Sequence, residues 1–250
     1  MKIVWVSANK FGYELLKESI KKSSVDIKGI ITLSSKSKTK MYDEIDNKKW
    51  YEFGLNVYEI DDINKEKGLF ERLLPDVVFL CGWRQIIDKD ILNIPKHGFI
   101  SFHPTLLPEG RGPAPIINSI LYGIKDSGLT MFYVSKKIDD GDIIGQEKFE
   151  IENNDHANDV YNKTIRAGRI LIKKYLPLIV KNNAPRIPQD NKNATYFEKP
   201  FIKNNMIDLK NDSVDEIYKK IKALSKPYKG AYIIKDGKKL TIWRAELSEK

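Results

Sequence analysis

Residues 98–146 read GFISFHPTLLPEGRGPAPIINSILYGIKDSGLTMFYVSKKIDDGDIIGQ, and the interpretation of this stretch decides the fold. Phe99 to Phe102 form a predicted buried strand ending in His103. A loop rich in Pro and Gly follows, then a short helix from about Ala114 to Tyr122 and a second strand, Leu129 to Val134. The turn Ile138-Asp139-Asp140-Gly141-Asp142 marks where a strand must reverse. Ligands of open α/β sheets bind beyond the carboxyl ends of the strands. A histidine at such an end, faced by an acidic turn, is therefore a candidate for acid–base chemistry.

Upstream, strand and helix signals alternate. Residues 2–7 (KIVWVS) read as a strand, the loop Ala8-Asn9-Lys10 follows, and Phe11, Leu15, Leu16 and Ile20 recur at helical spacing. Residues 26–32 give a second strand, and the polar tract SSKSKTK (34–40) is open to two readings, an anion-gripping flap or a solvated linker. A helix around 42–53, a short strand near 56–58, a helix over about 64–74 and the apolar strand 76–80 continue the pattern. The alternation predicts an α/β fold, a Rossmann-like, mostly parallel sheet with helices on both faces. No GxGxxG follows the first strand, so a nicotinamide cofactor has no support. Cys81-Gly82-Trp83-Arg84-Gln85 ends another strand, where Gly82 lets a flat ligand approach the backbone and Trp83 reads equally as lid or core.

Downstream, strand 143–150 leads into an amphipathic helix over about 156–180. His156, beside Asp155, reads as an exposed helix-start residue, and His97 as equally remote from chemistry. Residues 1–182 are thus the expected main domain, 183–205 a linker with high Pro, Asn and charge content, and 206–250 a small α+β carboxy-terminal appendix. The appendix holds a helix, Val214 to Leu224, and two short strands around Asp236-Gly237. It is too small for much of a core of its own and must pack on the main domain or on a second subunit; its apolar strands point to a homodimer.

Composition narrows the class. With 250 residues, 41% hydrophobic and 10% aromatic, the chain is long enough for one large core. The single cysteine, Cys81, lies in an apolar run, which excludes an internal disulfide framework and fits a buried, inert thiol in a reducing compartment. No signal-peptide pattern and no run of about 20 apolar residues is visible, so the expected location is the cytoplasm, without membrane attachment. The net charge of +9 comes mostly from lysines scattered among carboxylates, not from the single block that marks a nucleic-acid partner. Three His and one Cys are too dispersed for a metal cluster.

The motifs HPTLLPEGRGPAPI, then GLT, then IDDGDII resemble the signature of the folate-dependent formyltransferases, and ATYFEKP with IYKKIKALSKPYKGAYIIKDGKKLTIWRA resembles the start of that family's carboxy-terminal region. The resemblance implies transfer of a formyl group from N10-formyltetrahydrofolate to a primary amine by an Asn-x-His pair and an Asp. Matched position by position, the His is His103, the Asp is Asp139, and Ser101 stands where the family has Asn. Ser101 is the third candidate catalytic residue, a shorter single donor acting more weakly or through water, with Gln85 on the neighbouring strand end as the alternative; loss of such a donor typically costs about 100- to 1000-fold in rate. The resemblance further implies a pterin between the acidic turn and the segment spanning Gly82, Trp83, Arg84, Gln85 and Ile87, with Asp140 and Asp142 either touching it or serving only as turn residues. Lys10 and Arg111 are the candidate acceptor-binding residues, Arg111 meeting a phosphate or merely pinning its loop. A purine-pathway member would lack the appendix, and a tRNA member would carry a complete carboxy-terminal barrel. The reduced appendix resembles the enzymes that formylate a TDP-, UDP- or GDP-linked amino-deoxy sugar for surface polysaccharide. Methionyl-tRNA formylation and a non-catalytic nucleotide-sugar or folate-binding module are the alternatives.

Overall fold

The computed structural model describes residues 1–21, 25–199 and 205–248. Five β-rich segments set the frame as parallel strands: β1 (Lys2–Val6), β2 (Asp26–Leu33), β3 (Val57–Ile60), β4 (Val77–Leu80) and β5 (Phe99–His103). β6 (Asp126–Tyr133) runs antiparallel to β5, and β7 (Ile143–Glu150) antiparallel to β6. The sheet order is β3-β2-β1-β4-β5-β6-β7, so the expected mostly parallel sheet is present.

Alternation along the strands sorts the core into two layers. Ile3, Trp5, Val77, Phe79, Ile100 and Phe102 face α1 (Lys10–Ser19) and the long α6 (Ala157–Val180). Trp5 and Phe79 stack there with centroids 5.0 Å apart, a pair worth about 0.5–1.5 kcal/mol beyond its buried area. On the other face Val4, Val6, Val78, Leu80 and Phe99 pack on Leu69 and Phe70 of α3 (Lys67–Leu73) and Ile91 of α4 (Lys89–Leu92). By the same alternation Ser101 and His103 point to the α3 and α4 side.

The helix expected over 42–53 contracts to α2 (Lys48–Tyr51). Residues 42–44 are instead drawn against the start of α1: Lys10 N donates to the Asp43 carbonyl, Glu44 bridges Asn9, and the Asp43 carboxylate accepts from the Tyr161 hydroxyl. α4 was not expected, because a single turn carries no readable periodicity.

In the appendix, α7 (Val214–Leu224) begins with a capping box between Ser213 and Glu216, worth about 1 kcal/mol. Its Ile221, Ala223 and Leu224 join Ile116, Ile117 and Ile120 of α5 (Pro115–Leu121) in the main core. β8 (Ala231–Lys235) and β9 (Lys238–Ile242) form a hairpin whose turn residues, Asp236 and Gly237, both take positive φ. The appendix therefore packs on the main domain of its own chain. The stretch 183–199 of the expected linker is not slack: Ile187 bridges Ile143 and Tyr196 bridges Arg111. Residues 200–204 of that span lie outside the described residues.

Candidate active site

His103 ends β5 and is buried. Its Nε2 lies 2.8 Å from the Gly110 carbonyl, a contact that requires the proton on Nε2, and its Nδ1 lies 3.5 Å from the Asp139 carboxylate. Asp139 also accepts from Gly112 N at 2.9 Å. The loop after β5 and the turn after β6 thus meet at one histidine.

Topology alone does not bring them together. Ile100 pairs with Tyr133 and His103 with Thr130, so β6 leaves the sheet beside the start of β5, away from His103. The turn must fold back along the sheet to return Asp139 to His103. Several contacts hold that fold: Tyr133 N donates to the Asp142 carbonyl at 2.9 Å, and the Ser135 hydroxyl donates to the Asp140 carboxylate. A Cβ on Gly141 would lie 1.7 Å from the Tyr133 carbonyl oxygen, so no other residue fits there, and Asp139 itself takes a left-handed φ of 52°.

The other expected site residues distribute unevenly. The Ser101 hydroxyl donates to the Leu80 carbonyl at 3.0 Å, across the β4–β5 ladder, so its only proton is already committed. Gln85 does not substitute for the missing amide: its Oε1 accepts from Ile63 N, and its Nε2 donates to the Asp61 carbonyl and the Thr39 hydroxyl. Arg84 donates to the Lys40 carbonyl at 2.8 Å and stacks on Tyr42. Gly82 has φ 62° and its carbonyl accepts from Asn9 Nδ2; Ile87 is core. Trp83 packs on Ala8, Leu33 and Met41, and its indole Nε1 is buried without a partner. Asp140 is committed to Ser135, while Asp142 is half-buried in the turn.

Arg111 is 1% exposed, and among the described residues every acceptor of its guanidinium is a neutral oxygen: Gln189 Oε1 at 2.7 and 3.1 Å, Asn191 Oδ1 at 2.9 Å and the Tyr196 hydroxyl at 2.9 Å. These contacts tie Arg111 to the 189–196 segment. Lys10 is exposed at the start of α1 on the opposite face of the sheet from His103. It lines a groove of about 690 Å³ with Arg166, Arg169 and Arg244, but also with Glu14, Asp155 and Asp159; neither His103 nor Asp139 borders it.

Two expectations about lone side chains resolve differently. Cys81 is buried, and desolvation pushes its thiol well above the ordinary range, in keeping with an inert core position. His156 is buried, not exposed: its Nδ1 contacts the Asn154 carbonyl at 3.0 Å, and Ala245 N approaches Nε2 at 3.5 Å, because the end of the appendix closes over it. No group of three or more His, Cys, Asp or Glu able to hold a metal occurs among the described residues. No described helix is long and apolar enough to cross a membrane.

Sequence reasoning missed Gly110, Gly112, Gln189 and Thr195. Gly110 N donates to Thr195 Oγ1 at 2.8 Å, and Gln189 Nε2 donates to the carbonyls of Asp139 at 2.9 Å and Gly141 at 2.7 Å. Their contacts are backbone-mediated or made by uncharged side chains, which leave no pattern in a single sequence.

The chain belongs to the formyl transferase family, a family of enzymes that transfer formyl groups: the family's formyl transferase domain matches residues 1–176 and its carboxy-terminal domain matches 202–250. The bifunctional polymyxin resistance protein ArnA of Wigglesworthia glossinidia brevipalpis is 32% identical over 250 residues, 99% of this chain and 38% of that protein. The methionyl-tRNA formyltransferase of Halalkalibacterium halodurans is 36% identical over 185 residues, 73% of this chain and 58% of that protein. The chain therefore spans less than two thirds of these relatives. Among solved structures, a 4-N formyltransferase from Francisella tularensis superposes with a TM-score of 0.77 at 27% identity, covering 100% of this chain and 98% of that one. An N-formyltransferase from Helicobacter canadensis, in complex with folinic acid and dTDP-3-aminofucose, shares the fold at 21% identity and a TM-score of 0.72, over 95% of this chain and 85% of that one.

Proposed function

We propose that this protein transfers a formyl group from N10-formyltetrahydrofolate to the amine of a nucleotide-linked amino-deoxy sugar, with His103 and Asp139 as the catalytic pair. The observation that carries the transfer is the 3.5 Å approach of Asp139 to His103 Nδ1, with Nε2 already committed to Gly110. That commitment leaves Nδ1 as the ring nitrogen that takes up a proton. The attacking amine must lose one as its bond to the formyl carbon forms, and the Asp139 carboxylate stabilises the positive charge the ring then carries. The folate supplies the formyl group: its bond from N10 to the formyl carbon breaks, and tetrahydrofolate leaves with N10 taking up the proton that the amine gave to the ring. In segment 82–87 the indole N–H of Trp83 is left without a partner, which supports a heterocycle there, whereas the space beside Gly82, expected to admit a flat ligand, is filled by the Asn9 side chain. The folinic acid bound to the Helicobacter protein is consistent with that donor.

The choice of acceptor rests on the near-complete mutual coverage with the Francisella 4-N formyltransferase, and the dTDP-amino sugar held by the Helicobacter protein supports it. A homodimer through the appendix belongs to the same reading, as does a cytoplasmic place in polysaccharide biosynthesis. The 36% identity to a methionyl-tRNA formyltransferase favours charged initiator tRNA as the second acceptor. The deciding experiment measures tetrahydrofolate release with TDP-, UDP- and GDP-linked amino-deoxy sugars and with methionyl-tRNA. Turnover with one sugar supports the proposal; turnover with tRNA alone, steeply salt-dependent, replaces it.

A further inference from the structure

The pair of catalytic loops is held from outside by a third segment. Residues 187–197 cross both of them. Ile187 exchanges backbone hydrogen bonds with Ile143 at 2.8 and 3.0 Å, just after the acidic turn. Eight to ten residues on, Arg111 N donates to the Thr195 carbonyl at 3.0 Å, Phe197 N donates to the Arg111 carbonyl at 2.7 Å, and the Thr195 hydroxyl accepts from Gly110 N. Between these anchors Gln189, 9% exposed, uses its whole amide: Oε1 accepts twice from Arg111, and Nε2 donates to the Asp139 and Gly141 carbonyls. A buried cation therefore polarises an amide whose far end grips the backbone of Asp139.

We infer that this segment is the positioning device of the His103–Asp139 pair, with Gln189 as its central positioning residue. The need for one follows from the register: the turn leaves the sheet beside Ile100 and must be kept folded back against its left-handed Asp139. Without the two N–H donors of Gln189, the Asp139 and Gly141 carbonyls face each other across a buried space with nothing between them, and the turn relaxes away from His103. Gln189 touches no reacting atom; it acts through Asp139. The inference rests on transfer by His103 and Asp139, whatever the acceptor.

The test compares Gln189→Met, which keeps the shape and removes both ends of the amide, with Gln189→Glu, which keeps Arg111 paired but loses the donors. The amide resonance of Gly112, whose N–H is held by Asp139, reports the turn without any acceptor or turnover. In both variants we expect that resonance to shift toward its position in Asp139→Ala, which has no side-chain acceptor for it. With an acceptor that turns over, kcat falls about 100-fold, the loss expected from a displacement of about 1 Å, while KM for the formyl donor stays within threefold. Adding Gln189→Met to Asp139→Asn costs less than threefold more, because both changes act on one group. A Gly112 resonance unmoved in both variants, or losses that multiply in the double variant, overturns the inference. If Gln189→Met does not fold, Gln189→Glu carries the same comparison. Should no acceptor turn over, the Gly112 resonance decides the matter alone, so failure of the proposed activity is distinguishable from failure of the positioning role.

Discussion

The Asp139 carboxylate lies 3.5 Å from His103 Nδ1 although the turn that carries it leaves the sheet beside Ile100, three residues short of the histidine. This return brings together two loops that the strand pairing alone would keep apart. His103→Ala should lower transfer by about 1000-fold, within the range for loss of a general base, and leave the affinity for formyl donor within twofold by calorimetry. Activity near the parent level would remove His103 from the mechanism.

The Ser101 hydroxyl donates its single proton to the Leu80 carbonyl and has none left for a developing oxyanion. Ser101→Ala should therefore change kcat less than tenfold, far less than the loss of an active oxyanion donor. Ser101→Asn places a free amide on the His103 face of β5 and should raise kcat; a slower Asn variant means the pocket has been rebuilt around serine.

Arg111 holds Gln189, Asn191 and Tyr196 from a fully buried position. Arg111→Met leaves the buried Gln189 oxygen without a donor, at a cost of about 1–3 kcal/mol, read as a lower urea midpoint at unchanged slope. If Arg111 met an acceptor phosphate instead, the variant would show a raised acceptor KM and an unchanged midpoint.

Burial holds the His156 imidazole below its ordinary range. Arg244 and Lys222 add to that shift, and the Asn154 carbonyl and Asp159 oppose it. The unfolded chain therefore binds a proton that the folded chain resists, so stability from this site is complete above about pH 6.5 and is lost as pH falls below it. Thermal melts at pH 7.5 and 5.5 should show a larger drop for the parent than for His156→Gln; equal drops would mean that the folded and unfolded chains bind the His156 proton equally.

The hairpin leaves Leu240 58% exposed on β9. If this surface joins two copies of the chain, Leu240→Glu should convert a dimer to a monomer by light scattering at micromolar concentration. A monomeric parent at that concentration removes the dimer.

Much of the fold was legible because it depends on local pattern. The apolar runs at 2–7, 26–32 and 76–80 and the helical spacing of Phe11, Leu15 and Leu16 needed only periodicity. The 42–53 stretch was misread because Asp43 and Glu44 are drawn to α1 and α6 by contacts far apart in sequence. At the site, His103 and Asp139 stood out through residue type and the motifs around them. Gln189 did not, since an amide between Pro188 and Asp190 in a polar stretch reads as any linker residue until the loops it ties together are seen. His156 was read as exposed for a similar reason: what buries it is the chain near Ala245, 89 residues away.

The crossing of the two loops that meet at His103 by residues 187–197 also sets where this protein can be cut and rejoined. A chimera divided at the end of α6 would carry an intact sheet and an intact histidine, yet would take its loop supports from a foreign sequence. Divided after Phe197, it would keep Gln189, Thr195 and Tyr196 with the loops they hold. The working seam between the two halves of the molecule therefore lies well past the last helix of the sheet domain, and a shuffled enzyme should be joined there.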